Sequence, residues 1–192
     1  MPSIAVYCGS NPGFNPAYLA AASEVGAALA ARNIRLVYGG GSVGLMGAVA
    51  DAVLAGGGQV TGVITEHLVA KEVGHHGLTE LQVVGSMHER KARMVALAHG
   101  VICLPGGFGT LDEMFEALTW AQLGLSEAPV VLYDIDGFWT PMFAAIETIA
   151  AEGFIRPQHV PLARRATSAD QAIDLALTPL EKQLGKWTER AQ

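Results

Sequence analysis

Apolar and polar positions follow two alternating patterns along this chain. Short, mostly apolar runs are separated by longer segments in which apolar residues recur at helical spacing. The short runs predict buried strands and the longer segments predict helices. Strands that alternate with helices over the whole length are typical of an α/β fold with a doubly wound parallel sheet, here as one domain over residues 1–192. The predicted strands are residues 4–7, 34–38, 60–64, 81–84, 101–104 and 130–133.

Several helical segments carry start signals. Asn15 followed by Pro16 predicts a helix that runs to about residue 32, and Ser168 with Gln171 predicts a helix near the end of the chain. Pro179 predicts the start of an amphipathic C-terminal helix over residues 179–190. The other predicted helices are residues 45–54, 86–99, 111–123 and 139–152.

Two segments show no clear periodicity. We interpret residues 65–80, which contain His67, His75 and His76, as a functional loop or a short helix. Residues 157–163 are interpreted as irregular structure or a short edge strand. His88 and the pair His75–His76 have no partner at the spacing of a metal site, so the sequence predicts no metal. No organic cofactor is predicted either.

Glycine-rich loops follow three of the predicted strands, at residues 8–10, 39–44 and 105–109. The carboxyl ends of parallel strands meet at one edge of a sheet, where ligands of such folds bind. Glycines before a helix start expose backbone N–H groups, and these groups together with the helix dipole favour an anion. Alternatively, the glycines serve only tight turns and close packing. The candidates for holding a phosphate are Gly40, Gly41, Gly107, Gly109 and Thr110.

The predicted helix after Ser86 begins with three cations, Arg90, Lys91 and Arg93. Cations near a helix N-terminus oppose the helix dipole, so we expect at least one of them to contact an anion. Arg90 shares a helix face with Met87 and Met94, and it is the strongest candidate. Lys91 and Arg93 are equally well explained as solvent-facing charges.

Glu113 lies just inside the helix that follows the glycine turn at 105–109. A carboxylate beside a phosphate site suggests chemistry on a phosphorylated substrate. The alternative is structural, because Thr110 and Glu113 have the spacing of a capping box. If Glu113 pairs with Arg90, we expect its pKa to stay low and the carboxylate to stay ionised.

Composition narrows the function classes. Hydrophobic residues make up 51% of the chain and charged residues 16%, which favours a buried sheet, an oligomer interface or both. The net charge of −6 argues against nucleic acid or an anionic membrane as a partner. Neither a signal peptide nor an apolar run of the ~18 residues that span a bilayer is visible. With Cys8 and Cys103 as its cysteines, the chain is expected to be a soluble cytoplasmic protein with reduced thiols.

Three motifs in this order resemble the Lonely Guy family: Gly39-Gly-Gly-Ser-Val-Gly-Leu-Met-Gly47, Met87-His-Glu-Arg-Lys91 and Pro105-Gly-Gly-Phe-Gly-Thr-Leu-Asp-Glu113. The resemblance covers residues 4–154. Members of this family are cytokinin riboside 5′-monophosphate phosphoribohydrolases, formerly labelled lysine decarboxylases. The resemblance implies a three-layer Rossmann-like fold and a homodimer with active sites at the subunit interface. It also implies hydrolysis of an adenine-type nucleoside 5′-monophosphate to free base and ribose 5-phosphate.

By the same resemblance, the catalytic residues are Arg90 and Glu113. The implied phosphate site comprises Gly107, Gly109 and Thr110, and Met87 and Lys91 line the nucleotide pocket. The full predicted substrate-binding set is Ser10, Gly40, Gly41, Ser42, Met87, Lys91, Gly106, Gly107, Gly109 and Thr110.

The chemistry suits these residues independently of the family. Cleavage of a ribosyl C–N bond passes through an oxocarbenium-like state, which the carboxylate of Glu113 can stabilise. Arg90 stays protonated, so it can orient or donate but cannot act as a general acid. Two other functions fit less well. A pyridoxal-phosphate lysine decarboxylase needs a Schiff-base lysine, and a non-catalytic nucleotide-binding protein would not need Arg90 together with Glu113.

Overall fold

The structure, a computed structural model, describes residues 1–69 and 74–180. Its centre is one seven-stranded sheet in which every strand pairs parallel to its neighbours. The strands are β1 Ser3–Tyr7, β2 Arg35–Tyr38, β3 Val60–Thr65, β4 Glu80–Val84, β5 Gly100–Cys103, β6 Val130–Tyr133 and β7 Ala163–Ala166. Their order across the sheet is β4-β3-β2-β1-β5-β6-β7.

Helices connect successive strands and cover both faces of the sheet. They are α1 Pro16–Ala31, α2 Gly44–Ala55, α3 Glu66–Val69, α4 Met87–Ala96, α5 Phe108–Leu123, α6 Thr140–Ala151 and α7 Ala169–Leu177. Two 3₁₀ helices, Ile135–Gly137 and Pro157–Leu162, complete the connections around α6. No described helix has both the length and the apolar character that crossing a bilayer requires.

Strand side chains alternate between two apolar cores. On β1, Ile4 and Val6 pack with α1, α2 and α7, whereas Ala5 and Tyr7 pack on the opposite face with α4 and α5. This period-2 pattern buries both faces of each central strand, which explains why those strands appear in the sequence as continuous apolar runs. The result is the three-layer, doubly wound α/β architecture that the sequence predicts.

Most predicted elements are found within a few residues of their expected ends. Asn15 caps α1 by accepting a hydrogen bond from the Ala17 N–H, and Ser168 caps α7 by accepting one from Gln171. The helix α4 ends at Ala96 rather than residue 99, because Ser3 holds the following residues: its Oγ donates to the Leu97 carbonyl at 2.6 Å.

Three predicted segments differ from the structure or extend beyond the residues that it describes. The edge strand expected within residues 157–163 lies at Ala163–Ala166, after a 3₁₀ helix, and its sequence Ala-Arg-Arg-Ala has no apolar run to reveal it. The segment 65–80 begins with the short helix α3, and its residues 70–73 lie outside the described residues. The predicted C-terminal helix over 179–190 falls almost entirely within residues 181–192, which the structure does not describe.

The strand order places the topological switch point between β1 and β5. The chain leaves β1 toward β2 on one side and returns to β5 on the other, so the loops after these two strands diverge and open a crevice. The Gly9 N–H donates to the Pro105 carbonyl at 3.0 Å, and the Leu45 N–H donates to the Gly9 carbonyl at 3.1 Å. Three predicted ligand loops are therefore joined at this edge.

Both cysteines lie at this end of the sheet as buried free thiols. Burial raises the pKa of Cys8 and of Cys103 well above the usual value. The neutral thiols therefore serve as small apolar groups in the core.

The packing of α1 against α2 generates a stability prediction. A Cβ added to Gly26 of α1 would stand 2.5 Å from the Val49 carbonyl oxygen and 2.7 Å from the Ala52 Cβ. Helix propensity alone would favour alanine by about 1 kcal/mol, but overpacking typically costs about 1–3 kcal/mol. We expect Gly26→Ala to lower the free energy of unfolding in urea. Ser23→Ala, at an exposed position of the same helix, is the control, and an equal gain in both variants would contradict the prediction.

Candidate active site

Arg90 lies under the carboxyl edge of the sheet, although it comes from α4. Its Nε donates to the Val63 carbonyl of β3 at 3.0 Å, and its Nη2 donates to the Gly39 carbonyl after β2 at 3.2 Å. A Cβ at Gly39 would overlap the guanidinium, so glycine at this position makes room for the cation. Two main-chain oxygens thus fix the guanidinium plane and leave Nη1 directed toward α5.

Glu113 of α5 is the partner of Arg90. Its Oε1 lies 3.5 Å from Arg90 Nη1, and the two side chains are only 11% and 9% exposed. Met87, which precedes Arg90 by one helical turn, places its Sδ 3.9 Å from the same Nη1. The structure therefore brings together the two residues that the resemblance implies are catalytic.

Burial outweighs the cation in setting the protonation of Glu113. Desolvation raises the pKa of Glu113 from 4.5 to about 7, although Arg90 opposes the shift. The nearby carboxylates of Asp112 and Glu116 raise the pKa as well, and Lys91 lowers it. The expectation of a low pKa was therefore wrong, because the sequence shows the ion pair but not the loss of water around it.

The capping-box interpretation of Glu113 was also wrong. The helix α5 starts at Phe108 with Gly107 as its N-cap, and no side chain caps it. Thr110 is thus inside the first turn, and Glu113 is too far along the helix to bond back to the cap. The first intrahelical N–H bond is from Leu111 to the Gly107 carbonyl at 3.0 Å, so the amides before it have no partner within the helix.

The glycines of the turn at residues 105–109 are needed for different reasons. A Cβ at Gly106 would overlap the buried Thr110 hydroxyl, so close packing explains that glycine. A Cβ at Gly107 or Gly109 would meet no described atom within 4 Å, and neither residue has a positive φ. Packing and backbone conformation therefore do not account for Gly107 and Gly109, whereas close approach of a ligand to their amides would.

A cavity of about 430 Å³ joins these features at the switch point. Arg90 and Glu113 form part of its wall, and so does the start of α5. The members of the predicted site that line it are Ser10, Met87, Arg90, Gly106, Gly107, Gly109, Thr110 and Glu113.

Four predicted substrate-binding residues, all within the described part of the chain, lie outside the cavity lining. Gly40 accepts a hydrogen bond from the His75 N–H at 3.1 Å, and Gly41 forms an antiparallel bridge with Gly74. Ser42 is next to them in the β2–α2 loop. Lys91 is buried and pairs with Asp112 and Glu116 of α5.

Sequence reasoning missed most of the apolar wall of the cavity. Tyr18 of α1, Leu45 and Met46 of α2, Leu68 of α3 and Phe138 lie along it. Leu45 and Met46 lie within the first glycine motif, Gly39–Gly47, and this position could have identified them as part of the site. Tyr18 and Phe138 carry no such signal, because their approach depends on tertiary packing: their rings meet edge to face with centroids 5.5 Å apart.

Comparison with known proteins agrees with the geometry. A family model described as "possible lysine decarboxylase" matches residues 46–176. The probable cytokinin riboside 5′-monophosphate phosphoribohydrolase LOGL9 of Oryza sativa subsp. japonica is 46% identical over 88% of this chain and 75% of its own length. The cytokinin riboside 5′-monophosphate phosphoribohydrolase of Rhodococcoides fascians is 50% identical over 81% of this chain and 79% of its own length.

The chain belongs to the Lonely Guy family. Solved structures extend the Lonely Guy fold to more distant proteins. The molybdenum cofactor carrier protein of Chlamydomonas reinhardtii superimposes with a TM-score of 0.69 at 22% identity, over 90% of this chain and 94% of that one. A molybdenum cofactor binding protein of Rippkaea orientalis gives 0.68 at 23% identity, over 91% and 94%. At these identities the likeness shows the shared fold.

The older decarboxylase label of the Lonely Guy family finds no support at Lys91. A Schiff base needs an unprotonated amine. Burial alone would lower the pKa of Lys91, but the hydrogen bonds and negative charges of Glu116 and Asp112 together raise it above its usual value. The other lysines, Lys71, Lys182 and Lys186, lie outside the described residues.

The raised pKa of Glu113 makes stability depend on pH. Between 4.5 and about 7 the native state holds a proton that the unfolded chain releases, so stability falls as pH rises through this window. For a shift of this size the loss is roughly 3 kcal/mol. We expect the unfolding free energy of the wild type, relative to Glu113→Gln, to decline by that order from pH 4.5 to 7 and to level off above. A difference independent of pH would contradict the buried, raised carboxyl.

Proposed function

We propose that the protein hydrolyses the N-glycosidic bond of adenine-type nucleoside 5′-monophosphates, releasing free base and ribose 5-phosphate. The proposed substrates are cytokinin riboside 5′-monophosphates and AMP, which lacks the N6 substituent. The observation that carries the proposal is the Arg90–Glu113 pair at the wall of the cavity that the α5 glycine turn also lines. The names of the rice and Rhodococcoides relatives, which describe phosphoribohydrolases, support the same reaction.

The start of α5 is the proposed phosphate site. Its first amides, those of Phe108, Gly109 and Thr110, have no partner within the helix, and the helix dipole favours negative charge there. The open surroundings of Gly107 and Gly109 would let phosphate oxygens approach the main chain. Ser10, across the cavity, is proposed as a further contact. Roles in binding for Gly40, Gly41 and Ser42 stay predictions.

At the sugar, Glu113 is the proposed catalytic carboxylate. A pKa of about 7 lies near working pH, which suits a group that exchanges a proton with water or stabilises positive charge when ionised. The ionised form would face the oxocarbenium-like ribosyl centre and orient the attacking water. Arg90, locked by two carbonyls, would hold Glu113 and donate from Nη1 to the ribose or the departing base.

The apolar wall is the proposed base site. Leu45, Met46, Tyr18 and Phe138 provide aliphatic and aromatic surface along the cavity. Adenine rings stack well on such surface, and an N6-isoprenyl group would bury additional apolar area. Binding energy from the remote phosphate can be used in the transition state, so a substrate without phosphate should lose turnover as well as affinity.

The protein is further proposed to act as a cytoplasmic homodimer. Phe108 and Phe115 lie seven residues apart on one stripe of α5 and are 92% and 45% exposed. Phe108 also lines the cavity, so a partner covering this stripe would place the active site at the interface. Free thiols at Cys8 and Cys103 are consistent with a reducing compartment.

Product analysis tests the hydrolase function. We expect release of free base and ribose 5-phosphate from AMP and from N6-isopentenyl-AMP, but not from adenosine. Removing a group that stabilises transition-state charge costs typically 10²–10³-fold in rate. Glu113→Gln and Arg90→Ala should each lose activity on that scale and keep a native circular dichroism spectrum.

The matched control is Arg93→Ala, an exposed arginine on the same helix that bonds Gln82. It should retain activity. Near-full turnover by Glu113→Gln, or equal cleavage of AMP and adenosine, would refute the proposal. Binding of AMP that is recovered unchanged would instead indicate a non-catalytic nucleotide-binding protein.

The proposed dimer is tested by measuring the molar mass of the protein in solution. Phe115→Glu should shift the molar mass measured by light scattering from dimer to monomer, because it buries a charge in the proposed interface. Leu19→Glu is the control: Leu19 is exposed on α1, across the sheet from α5. A wild-type protein that is monomeric at micromolar concentration would exclude this interface.

A further inference from the structure

Lys91 is a buried cation with two partners. Its side chain is on α4 beside Arg90, and the residue is only 8% exposed. Its Nζ lies 3.2 and 3.0 Å from the two carboxylate oxygens of Asp112 and forms an ion pair with Glu116. The described cavity lining does not include it. Among the described residues, the partners of the Lys91 ammonium are therefore on α5, whereas the resemblance implies that it lines the nucleotide pocket.

The two partners of Lys91 flank the catalytic carboxylate. Asp112 immediately precedes Glu113, and Glu116 follows it by three residues on the same helix. Like charges at this spacing repel when they are not compensated. Their negative charges raise the pKa of Glu113, and the positive charge of Lys91 lowers it.

The charged surroundings of Glu113 are balanced between two helices. From α4 it faces two cations, and α5 supplies the two other carboxylates. The sheet contributes groups that stay neutral, because burial raises the pKa of each of them well above working pH. Within residues 1–69 and 74–180, the titratable groups that face Glu113 are Arg90, Lys91, Asp112, Glu116, Tyr7, Cys8 and Cys103.

We propose that Lys91 is a positioning residue of the active site: it holds Asp112 and Glu116 and offsets part of their negative charge, which leaves Glu113 as the carboxylate that acts with Arg90 at the cavity. The inference rests on the proposed hydrolase function and deepens it. Arg90 contacts the reacting group, and Lys91 acts one step away, through the carboxylates on either side. Because Arg90 and Lys91 have different partners, α4 carries both cations near its N-terminus although the helix dipole is unfavourable to positive charge there.

The test compares Lys91→Met with Arg93→Met, which removes the same charge from the exposed face of α4. In Lys91→Met the acid limb of the pH profile of kcat/KM for AMP should move up by about one unit. At pH 6 this means roughly a tenfold loss, which shrinks to about twofold at pH 8 and vanishes above about pH 9. Lys91→Arg should restore the wild-type profile, and Arg93→Met should leave it in place.

A second variant gives the opposite shift and covers the case in which Lys91→Met does not fold. Glu116→Gln removes one flanking charge while Lys91 still pairs with Asp112, so the acid limb should move to lower pH. The double variant Lys91→Met with Glu116→Gln should return toward the wild-type profile. Such compensation is not expected of a residue that only fills space or only contacts the nucleotide.

A readout without substrate separates this inference from the proposed function. Titration of the Glu113 side-chain carboxyl by ¹³C NMR, assigned with Glu113→Gln, should show the same upward shift in Lys91→Met. An identical titration in wild type and Lys91→Met overturns the positioning role, whether or not the enzyme is active. A raised KM, or a lowered melting temperature, with an unmoved acid limb also overturns it. Absence of base release by the wild type would refute the hydrolase function alone.

Discussion

The guanidinium of Arg90 is the charge around which this end of the sheet is organised. A buried cation is costly unless hydrogen bonds and an opposite charge compensate it. Here the carbonyls of Gly39 and Val63 supply the hydrogen bonds, and Glu113 supplies the charge. Because the two carbonyls belong to consecutive strand segments, the position of Arg90 is set by the sheet itself. The absence of a side chain at Gly39 is part of the same arrangement.

Competition between burial and charge then decides the state of Glu113. An arginine in contact would ordinarily keep a carboxylate ionised, but desolvation prevails and places its pKa at about 7. The same site therefore holds a group that changes protonation near neutral pH, close to a helix start suited to a permanent anion. In the proposed function, the α5 amides supply affinity for the phosphate, and the α4–α5 charge pairs supply reactivity at the sugar.

The sequence was sufficient to predict the structural features that arise from repeating apolar patterns or from short motifs. Apolar runs located six of the seven strands, and the glycine turns with Arg90 and Glu113 indicated where the site would be. The edge strand Ala163–Ala166 was expected too early, within residues 157–163, because its sequence Ala-Arg-Arg-Ala has no apolar run that would locate it. The start of α5 was misjudged because Phe108 and Gly109 resemble loop residues, although they form its first turn. The partners of Lys91 and the pKa of Glu113 depend on burial, which a single sequence does not state.

The two buried thiols near the switch point, Cys8 and Cys103, have a practical consequence. Alkylation requires a thiolate, and both native cysteines are buried and held in the neutral form. A cysteine introduced on an exposed position would therefore be the one that reacts with maleimide reagents near neutral pH. Fluorophores or spin labels can be attached to report on motions around the cavity without first replacing Cys8 or Cys103.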